Sequence, residues 1–130
     1  MADSIKLSYI AGLFDGEGCV IIQRHAQGGR SGLVMKVSIS QKKREILDWV
    51  KTWFGGAVHF DGRTHAWVAS TRGAETFLRT ISPFLQIKRR EAEIGLEFRA
   101  TIGKGSKRVS REVRARREAL MAELTTLNRT

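Results

Sequence analysis

The chain has 130 residues, 42% of them hydrophobic, and its 23 lysines and arginines exceed its 13 aspartates and glutamates to give a net charge of +10. This length fits one globular domain, and the hydrophobic content argues against a disordered chain. No apolar run reaches the roughly 20 residues of a membrane span, and the single cysteine excludes an internal disulfide. Because the N-terminal residues match neither a signal nor a transit peptide, we expect an intracellular protein.

The excess of positive charge predicts a polyanionic partner. A net charge of +10 attracts nucleic acid and makes binding strongly dependent on salt. The alternative is a basic surface that serves only solubility. The three histidines and one cysteine lack zinc-ligand spacing, so the sequence does not predict a zinc-binding module.

The first predicted helix has one face that carries almost no side chains. Asp3 or Ser4 can cap it, and Gly18 ends it after about Gly16. Its small residues recur every fourth position, at Ser8, Gly12 and Gly16. Another face is apolar, with Leu7, Ile10, Leu13 and Phe14. Since glycine inside a helix costs about 0.5–1 kcal/mol relative to alanine, two glycines on one face indicate close approach of a second backbone.

The C-terminal end of this helix carries two acids, Asp15 and Glu17. The helix dipole disfavours negative charge at that end, so the pair indicates a nearby cation. A divalent metal ion would supply the positive charge. The helix is therefore predicted both to pack closely and to present carboxylates.

A hairpin is predicted next, with strands at 19–25 and 33–41 around a glycine-rich loop at 28–32. The second strand alternates strictly, so its apolar side chains point inward at Met35, Val37 and Ile39. Its polar side chains point outward at Lys36, Ser38 and Ser40. In the first strand the inward residues are Val20 and Ile22, and the outward ones are Cys19, Ile21, Gln23 and His25. The outward face is predicted to be available to DNA.

A helix at 42–54, ended by Gly55 and Gly56, precedes a second hairpin at 57–61 and 64–70. Its inward residues are predicted to be Val58, Phe60 and Trp67. The exposed positions at or near its turn are His59, Arg63 and His65. We interpret these histidines as solvated or base-contacting, because none has an acid or nucleophile at a recognisable catalytic spacing.

Helices are predicted for the rest of the chain, at 73–81, 84–102 and 110–127, with a basic loop at 103–106. Pro83 can open the second of them, whose apolar side chains are Phe84, Leu85, Ile87, Ile94 and Phe98. The last helix has an apolar side made of Val113, Leu120, Leu124 and Leu127. It also carries four arginines that form either a phosphate-binding surface or a solvated face: Arg111, Arg114, Arg116 and Arg117.

The segment 10–18, IAGLFDGEG, resembles the LAGLIDADG motif of the homing endonucleases. It differs from that motif at Ile10, Phe14, Gly16 and Glu17, and the last of these keeps a carboxylate that is one methylene longer. The predicted order of elements coincides with the α-β-β-α-β-β-α core of that family. The resemblance therefore implies an α+β fold with a curved antiparallel four-stranded sheet that forms a saddle on DNA. Residues 1–102 would form this core, and residues 103–130 a basic loop and a C-terminal helix packed on the same domain.

The resemblance also implies a function. Members with a single motif are homodimers in which two copies of the motif helix cross at the two-fold axis. The implied activity is site-specific double-strand DNA cleavage at a long, near-palindromic site, by hydrolysis of phosphodiester bonds with Mg²⁺. Mn²⁺ or Ca²⁺ would replace Mg²⁺ in binding. The expected partners are double-stranded DNA and a second copy of the chain. No membrane is expected, and RNA is a possible partner that nothing in the sequence indicates.

Roles for individual residues follow from the same resemblance. Glu17 corresponds to the catalytic metal ligand, with the backbone carbonyl of Gly16 a weaker candidate. Gln41 corresponds to a polar residue that orders water at the metal, and Lys88 to a basic residue that stabilises charge on the scissile phosphate. Without the resemblance, Lys88 would be interpreted as a helix-surface lysine.

Two larger sets of residues complete the predicted site. The dimer interface would comprise Ser8, Ala11, Gly12, Asp15 and Gly16. The DNA-binding residues would be Ile21, Gln23, His25, Arg30, Lys36, Ser38, Ser40, His59, Asp61 and Arg63.

Two other functions are compatible with parts of the sequence. One is an intron maturase or DNA-binding regulator that has the same fold and does not cleave. The other is a basic ribosome-associated protein, for which the charge suffices but the glycine-lined acidic helix has no use. Glu17 favours the enzyme, because a degenerate site usually loses its acid.

Overall fold

The computed structural model describes residues 3–25, 32–102 and 109–129. The glycine-rich loop apart from Gly32, Arg30 within it, and the basic loop at 103–106 lie outside the described residues. The helices and strands follow in this order: α1 Ser4–Glu17, β1 Gly18–His25, β2 Gly32–Gln41, α2 Arg44–Phe54, β3 Ala57–Phe60, β4 His65–Ser70, α3 Thr71–Ile81, a 3-10 helix Ser82–Phe84, α4 Arg89–Ala100 and α5 Arg111–Asn128. Among the described helices, none combines the length and apolar character that a membrane span requires.

Local sequence signals define several helix ends. The carboxylate of Asp3 accepts a hydrogen bond from Ile5 N at 3.0 Å and caps α1, as predicted. Gly55 ends α2 with a φ of 72°, a conformation that glycine adopts at little cost. Ser110 caps α5 by accepting from Val113 N at 3.1 Å. These helix ends are therefore encoded by nearby residues.

The four strands form one antiparallel sheet in the order β1-β2-β4-β3. Val20 lies opposite Val37, and Val37 lies opposite Ala69, so their buried side chains form a row across the sheet. The alternation predicted for β1 and β2 is confirmed, because the inward residues of both strands are buried. This inward face meets α1, α3 and α4. The α+β fold with a C-terminal helix is confirmed as well.

Aromatic side chains from four elements meet in the core. The Phe77 ring of α3 lies 5.3 Å from that of Phe14, 4.8 Å from that of Phe54 and 4.8 Å from that of Trp67, measured between centroids. Trp67 Nε1 donates a hydrogen bond to Gly55 O at 2.7 Å, which satisfies the indole N–H. Phe14 therefore fixes one face of α1 onto the sheet and α3.

One predicted helix and the predicted burial of two apolar residues are wrong. The continuous helix predicted over 84–102 is interrupted, because Leu85 is extended and α4 begins at Arg89. Ile87, predicted to be in the core, is 71% exposed, whereas Leu85 is fully buried. Phe60, predicted to point inward, is 59% exposed because it ends the short edge strand β3, where its ring lies 4.7 Å from that of His65.

Candidate active site and DNA-facing surface

The two acids of α1 have different surroundings. Asp15 is only 7% exposed, and its carboxylate accepts hydrogen bonds from three consecutive backbone N–H groups of its own chain. These donors are Gln86 N at 2.8 Å, Ile87 N at 3.1 Å and Lys88 N at 2.9 Å. Glu17, two residues later, is exposed. The assignment of Asp15 to a dimer interface is therefore corrected, since both of its carboxylate oxygens bind within the chain.

Lys88 lies at the C-terminal end of α1. Its Nζ donates a hydrogen bond to Asp15 O at 3.0 Å, and the residue is half-buried. The last carbonyls of a helix lack intrahelical donors, and a cation there is favoured by the dipole. Part of the positive charge that the sequence led us to expect from a metal ion is thus supplied by Lys88.

Glu17 and Gln41 line the same cavity. This cavity has a volume of about 250 Å³ and is bordered by Glu17, Ser40, Gln41, Lys42 and Thr64. The Gln41 side-chain oxygen accepts a hydrogen bond from Lys42 N at 3.0 Å, so the amide NH₂ points away from Lys42 N. A neighbouring cavity of about 400 Å³ shares Lys42 and Thr64 and is completed by Asp61 and Arg63. A polar groove therefore runs from Glu17 towards Arg63.

One chain provides only part of a metal site. The described residues contain no group of three or more His, Cys, Asp or Glu side chains that could hold a metal ion. Because the Asp15 carboxylate already accepts three backbone hydrogen bonds, the metal ligands available at the end of α1 are the Glu17 carboxylate and terminal carbonyls such as that of Gly16. Oxygen donors of this kind fit Mg²⁺ or Ca²⁺, but both ions need about six ligands or more. The remaining ligands would have to come from a second copy, DNA or water.

The outward face of α1 is open to solvent. A Cβ atom built on Gly12 or Gly16 would have no neighbour within 4 Å among the described residues, and Ser8 is also exposed. Ile5 and Tyr9 lie on the same stripe and are 81% and 58% exposed. The sequence interpretation missed these two residues, although their spacing from Gly12, seven and three positions earlier, places them on this face.

Ala11 does not belong to this stripe. It is fully buried in the core beside Ile10, so it offers no surface to a second chain. Its assignment to a dimer interface is wrong. Ala11 follows the core face of α1, whereas the open face follows the spacing of Gly12 and Gly16.

The outward face of the sheet carries most of the residues predicted to contact DNA. Gln23, Ser40 and His59 are exposed, while Ile21, Lys36 and Ser38 are partly exposed. The register places Ile21 opposite Lys36 and brings Ser70 beside it from β4. Sequence reasoning missed Ser70, which ends its strand on the same face. The side chain of His25 and all of Arg30 lie outside the described residues.

Cys19 is the one thiol on the outward face of the sheet. Burial raises the pKa of the Cys19 thiol, and the nearby Lys88 ammonium only partly offsets this effect. A thiol of this kind stays protonated and weakly reactive at neutral pH. Cys19 therefore adds no nucleophile to the site.

Asp61 holds the turn between β3 and β4. Its carboxylate accepts from Arg63 N at 2.9 Å and Thr64 N at 2.8 Å, and these backbone hydrogen bonds lower the pKa of Asp61. Beside the turn, His65 Nδ1 lies 3.1 Å from Lys42 O, which ties β4 to the segment after β2. The structure thus gives Asp61 a role in shaping the turn that presents Arg63.

The arginines of α5 divide into two groups. Arg116 forms an ion pair with Glu97, and Arg117 donates to Thr101 O at 2.7 Å and Thr101 Oγ1 at 2.9 Å. Arg111 and Arg114 are exposed, and their side chains have no hydrogen-bonding partner among the described residues. Two of the four arginines therefore hold α5 onto α4, and two are free to meet a ligand.

Comparison with known proteins identifies the family. Residues 4–95 match the family model of the LAGLIDADG-like domain. The chain belongs to the LAGLIDADG family. Its motif is the α1 segment that carries Gly12, Asp15, Gly16 and Glu17. No curated protein sequence matches the chain.

Solved structures of LAGLIDADG proteins share this fold. An archaeal intron-encoded homing endonuclease, I-Vdi141I, complexed with DNA, superposes with a TM-score of 0.80 and 25% identity over 95% of this chain and 84% of that one. The homing endonuclease I-CvuI, in complex with the I-CreI target and Mg, has a TM-score of 0.70 and 18% identity over 90% and 95% of the two chains. I-GzeII, bound to its DNA target, has a TM-score of 0.77 and 14% identity over 91% of this chain and 44% of that one.

Proposed function

We infer that this LAGLIDADG protein is a site-specific double-strand DNA endonuclease that acts as a homodimer with a divalent metal ion. One observation carries this proposal. Glu17 is a free, exposed carboxylate at the end of the glycine-faced helix and lines a cavity with Gln41, whereas its neighbour Asp15 is used by the fold. A protein that only binds DNA has no need for an exposed acid at this place, because a carboxylate repels phosphate.

The open face of α1 supports the homodimer. Gly12 and Gly16 expose their backbone, so a second copy of α1 would approach closely there, and Ser8 is small enough to continue the contact. Ile5 and Tyr9 extend the stripe with apolar area that the chain itself does not cover. Crossing two copies at the glycines would bring two Glu17 carboxylates together, and bound cations would relieve their mutual repulsion.

The chain contributes four groups to the proposed hydrolysis. Glu17 and the carbonyl of Gly16 would hold the metal ion, which supplies activation of water and neutralisation of charge on the phosphate. The Gln41 side chain lies beside Glu17 in the same cavity and would orient the attacking water through its amide group. The Lys88 ammonium has three N–H donors, of which one binds Asp15 O, so two remain to stabilise charge on a phosphate oxygen.

The outward face of the sheet is the proposed DNA surface. Gln23, Ser38 and Ser40 can donate and accept hydrogen bonds at base edges, and Ile21 can contact a thymine methyl group. Lys36 and Arg63 would contact phosphates, and His59 would contact a base edge. His25 and Arg30 stay predictions of DNA contacts from the sequence, and Asp61 is assigned to the turn that presents Arg63.

The comparisons support this assignment. I-Vdi141I, at 25% identity, is a homing endonuclease complexed with DNA. I-CvuI is described in complex with DNA in the presence of Mg, with the DNA not cleaved, and in the presence of Ca. These names describe the relatives, and for this chain they favour DNA and a divalent metal ion as ligands.

Selection from a randomised DNA library tests the proposal. The full chain is incubated with random duplexes and Mg²⁺, and the ends of the cleaved molecules are sequenced, with Glu17→Gln as the matched control. We expect a long, near-palindromic consensus that appears only with the unmodified chain. Duplexes that are bound but never cleaved would favour the maturase or DNA-binding regulator instead.

A further inference from the structure

The segment 85–88, between the 3-10 helix and α4, is held in place mainly by residues that lie outside the segment. Leu85 is fully buried and anchors one side, but Ile87 is 71% exposed and adds no packing. No side chain of the segment caps α4, whose N-cap residue is Lys88. The first N–H groups of a helix need acceptors. Asp15, more than 70 residues earlier in the chain, supplies an acceptor for Lys88 N and for the two N–H groups before it.

The contact between α1 and this segment runs in both directions. The Asp15 carboxylate places negative charge at the N-terminal end of α4, and the Lys88 ammonium places positive charge at the C-terminal end of α1. Both placements are favoured by the helix dipoles. The two helix ends are thus joined by one pair of residues that each bind the backbone of the other.

We propose that Asp15 is a positioning residue of the active site: by binding the backbone of residues 86–88, it sets the place of the Lys88 ammonium relative to Glu17. This inference rests on the proposed function. Glu17 follows Asp15 by two residues on α1, and the N–H of Gly18 binds Phe14 O, so the end of the helix is fixed. Glu17, proposed to hold the metal, and Lys88, proposed to contact the phosphate, therefore belong to two segments that Asp15 joins by hydrogen bonds.

The positioning role differs from the two other roles that an acid at this place suggests. A metal ligand needs a lone pair that an ion can reach, but Asp15 Oδ1 accepts two hydrogen bonds, and Oδ2, which accepts one, belongs to a side chain that is only 7% exposed. A contact with a second copy needs exposed surface, but Asp15 is almost completely buried. The hydrogen bonds within the chain account for the carboxylate.

A double-mutant cycle on cleavage tests the inference. Asp15→Asn keeps the shape of the side chain but exchanges one acceptor for a donor, and Lys88→Met removes the ammonium. We expect each variant to lower the single-turnover cleavage rate by about tenfold or more, as loss of an orienting partner commonly does, with DNA affinity unchanged within about threefold. The double variant should be no slower than Lys88→Met alone, because Asp15 acts through Lys88. Asp48→Asn on α2 is the matched control and should cleave normally.

A chemical readout separates this inference from the proposed function. The rate at which an amine-reactive reagent labels Lys88, compared with exposed Lys51 and measured by mass spectrometry, reports on whether the ammonium is held. We expect Asp15→Asn to raise the labelling of Lys88 by about threefold or more and to leave Lys51 unchanged, because the segment opens locally. If the unmodified chain cleaves no DNA, the proposed function fails, and the labelling result alone decides the positioning role.

A second variant removes a donor without changing Asp15. Gln86→Pro deletes the N–H that binds Asp15 Oδ2, and the extended conformation of Leu85 is one that a following proline favours. It should raise the labelling of Lys88 and slow cleavage in the same way, which keeps the test valid if Asp15→Asn does not fold. Unchanged labelling of Lys88 in both variants, or multiplicative losses in the cycle, would overturn the inference.

Discussion

The two faces of α1 differ in what the chain itself supplies for them. On the inward face, Ile10 and Phe14 are fully buried against the sheet and α3. On the outward face, a Cβ atom built on Gly12 or Gly16 would have no neighbour within 4 Å among the described residues, and Ile5 and Tyr9 are exposed. Glycine in a helix costs about 0.5–1 kcal/mol at each position, and here no internal packing explains that cost. The inward face therefore accounts for the fold, and the outward face is the one proposed to meet a second copy of the chain.

The sheet shows the same division. Val37 is buried on the inward face, while its neighbour Ser38 is partly exposed on the other. On the outward face of β2, Lys36 and Ser38 are partly exposed and Ser40 is exposed, so that face carries polar side chains that the core does not use.

Replacing Glu17 tests the outward end of α1. Glu17→Gln should lower DNA cleavage by about a thousandfold or more, because metal ions supply several kcal/mol of transition-state stabilisation, while DNA affinity changes by only about threefold. Gel-shift and single-turnover assays measure the two quantities, with exposed Glu45→Gln as control. A loss of affinity beyond about tenfold, ~1.4 kcal/mol, would show that Glu17 contributes to DNA binding itself.

Replacing Phe14 tests the inward face. Phe14→Ala should lower the free energy of unfolding by about 3–5 kcal/mol, because it leaves a cavity among Phe77 and its neighbours. Gly12→Ala, two residues earlier, should leave it unchanged or raise it by about 0.5–1 kcal/mol, since the new methyl group meets nothing in the chain. Urea unfolding at several protein concentrations separates folding from association. Equal destabilisation by both variants would remove the distinction between the two faces.

A larger side chain on the open face tests association. Gly12→Leu should leave each chain folded but weaken the dimer by roughly tenfold to a hundredfold, since overpacking typically costs about 1–3 kcal/mol. Cleavage should fall with the dimer. Light scattering over a dilution series measures the association, and circular dichroism checks the fold. An intact and fully active dimer would show that Gly12 does not lie at the interface.

Recognition of bases tests the outward face of the sheet against α5. Gln23→Ala should change the tolerated base at one position in each half-site, symmetrically, with a loss of about 1–3 kcal/mol of discrimination. If Arg114 contacts phosphates and no base, Arg114→Ala should weaken binding evenly across sequences and reduce the dependence on salt. Arg117→Ala should instead loosen α5, since Arg117 binds Thr101.

Cleavage of all single-base variants of the site, measured for each protein variant, decides between these expectations. A shift of base preference in Arg114→Ala without one in Gln23→Ala would place the DNA on the other face of the domain.

Local patterns predicted most of the fold correctly. The alternation at 33–41 identified the inward and outward faces of β2, because the side-chain period of a strand is independent of its partners. Asp3, Gly55 and Ser110 marked helix ends, because a cap acts within three or four residues. The errors at Ile87 and Phe60 have a different origin. Ile87 lies between the 3-10 helix and α4, and Phe60 is the last residue of the edge strand β3. At both positions no neighbouring element of the described structure buries the apolar side chain.

The sequence by itself determined the family motif, the strand faces and the small-residue face of α1, since each depends on spacing along a single element. Only the tertiary structure decided that Asp15 is buried and bound within the chain while Glu17, two residues later, is exposed. That difference depends on hydrogen bonds between Asp15 and residues 86–88, which are separated by 71 to 73 positions in the chain. Such contacts form only when α1 and the start of α4 pack together, and no periodicity along the chain encodes them.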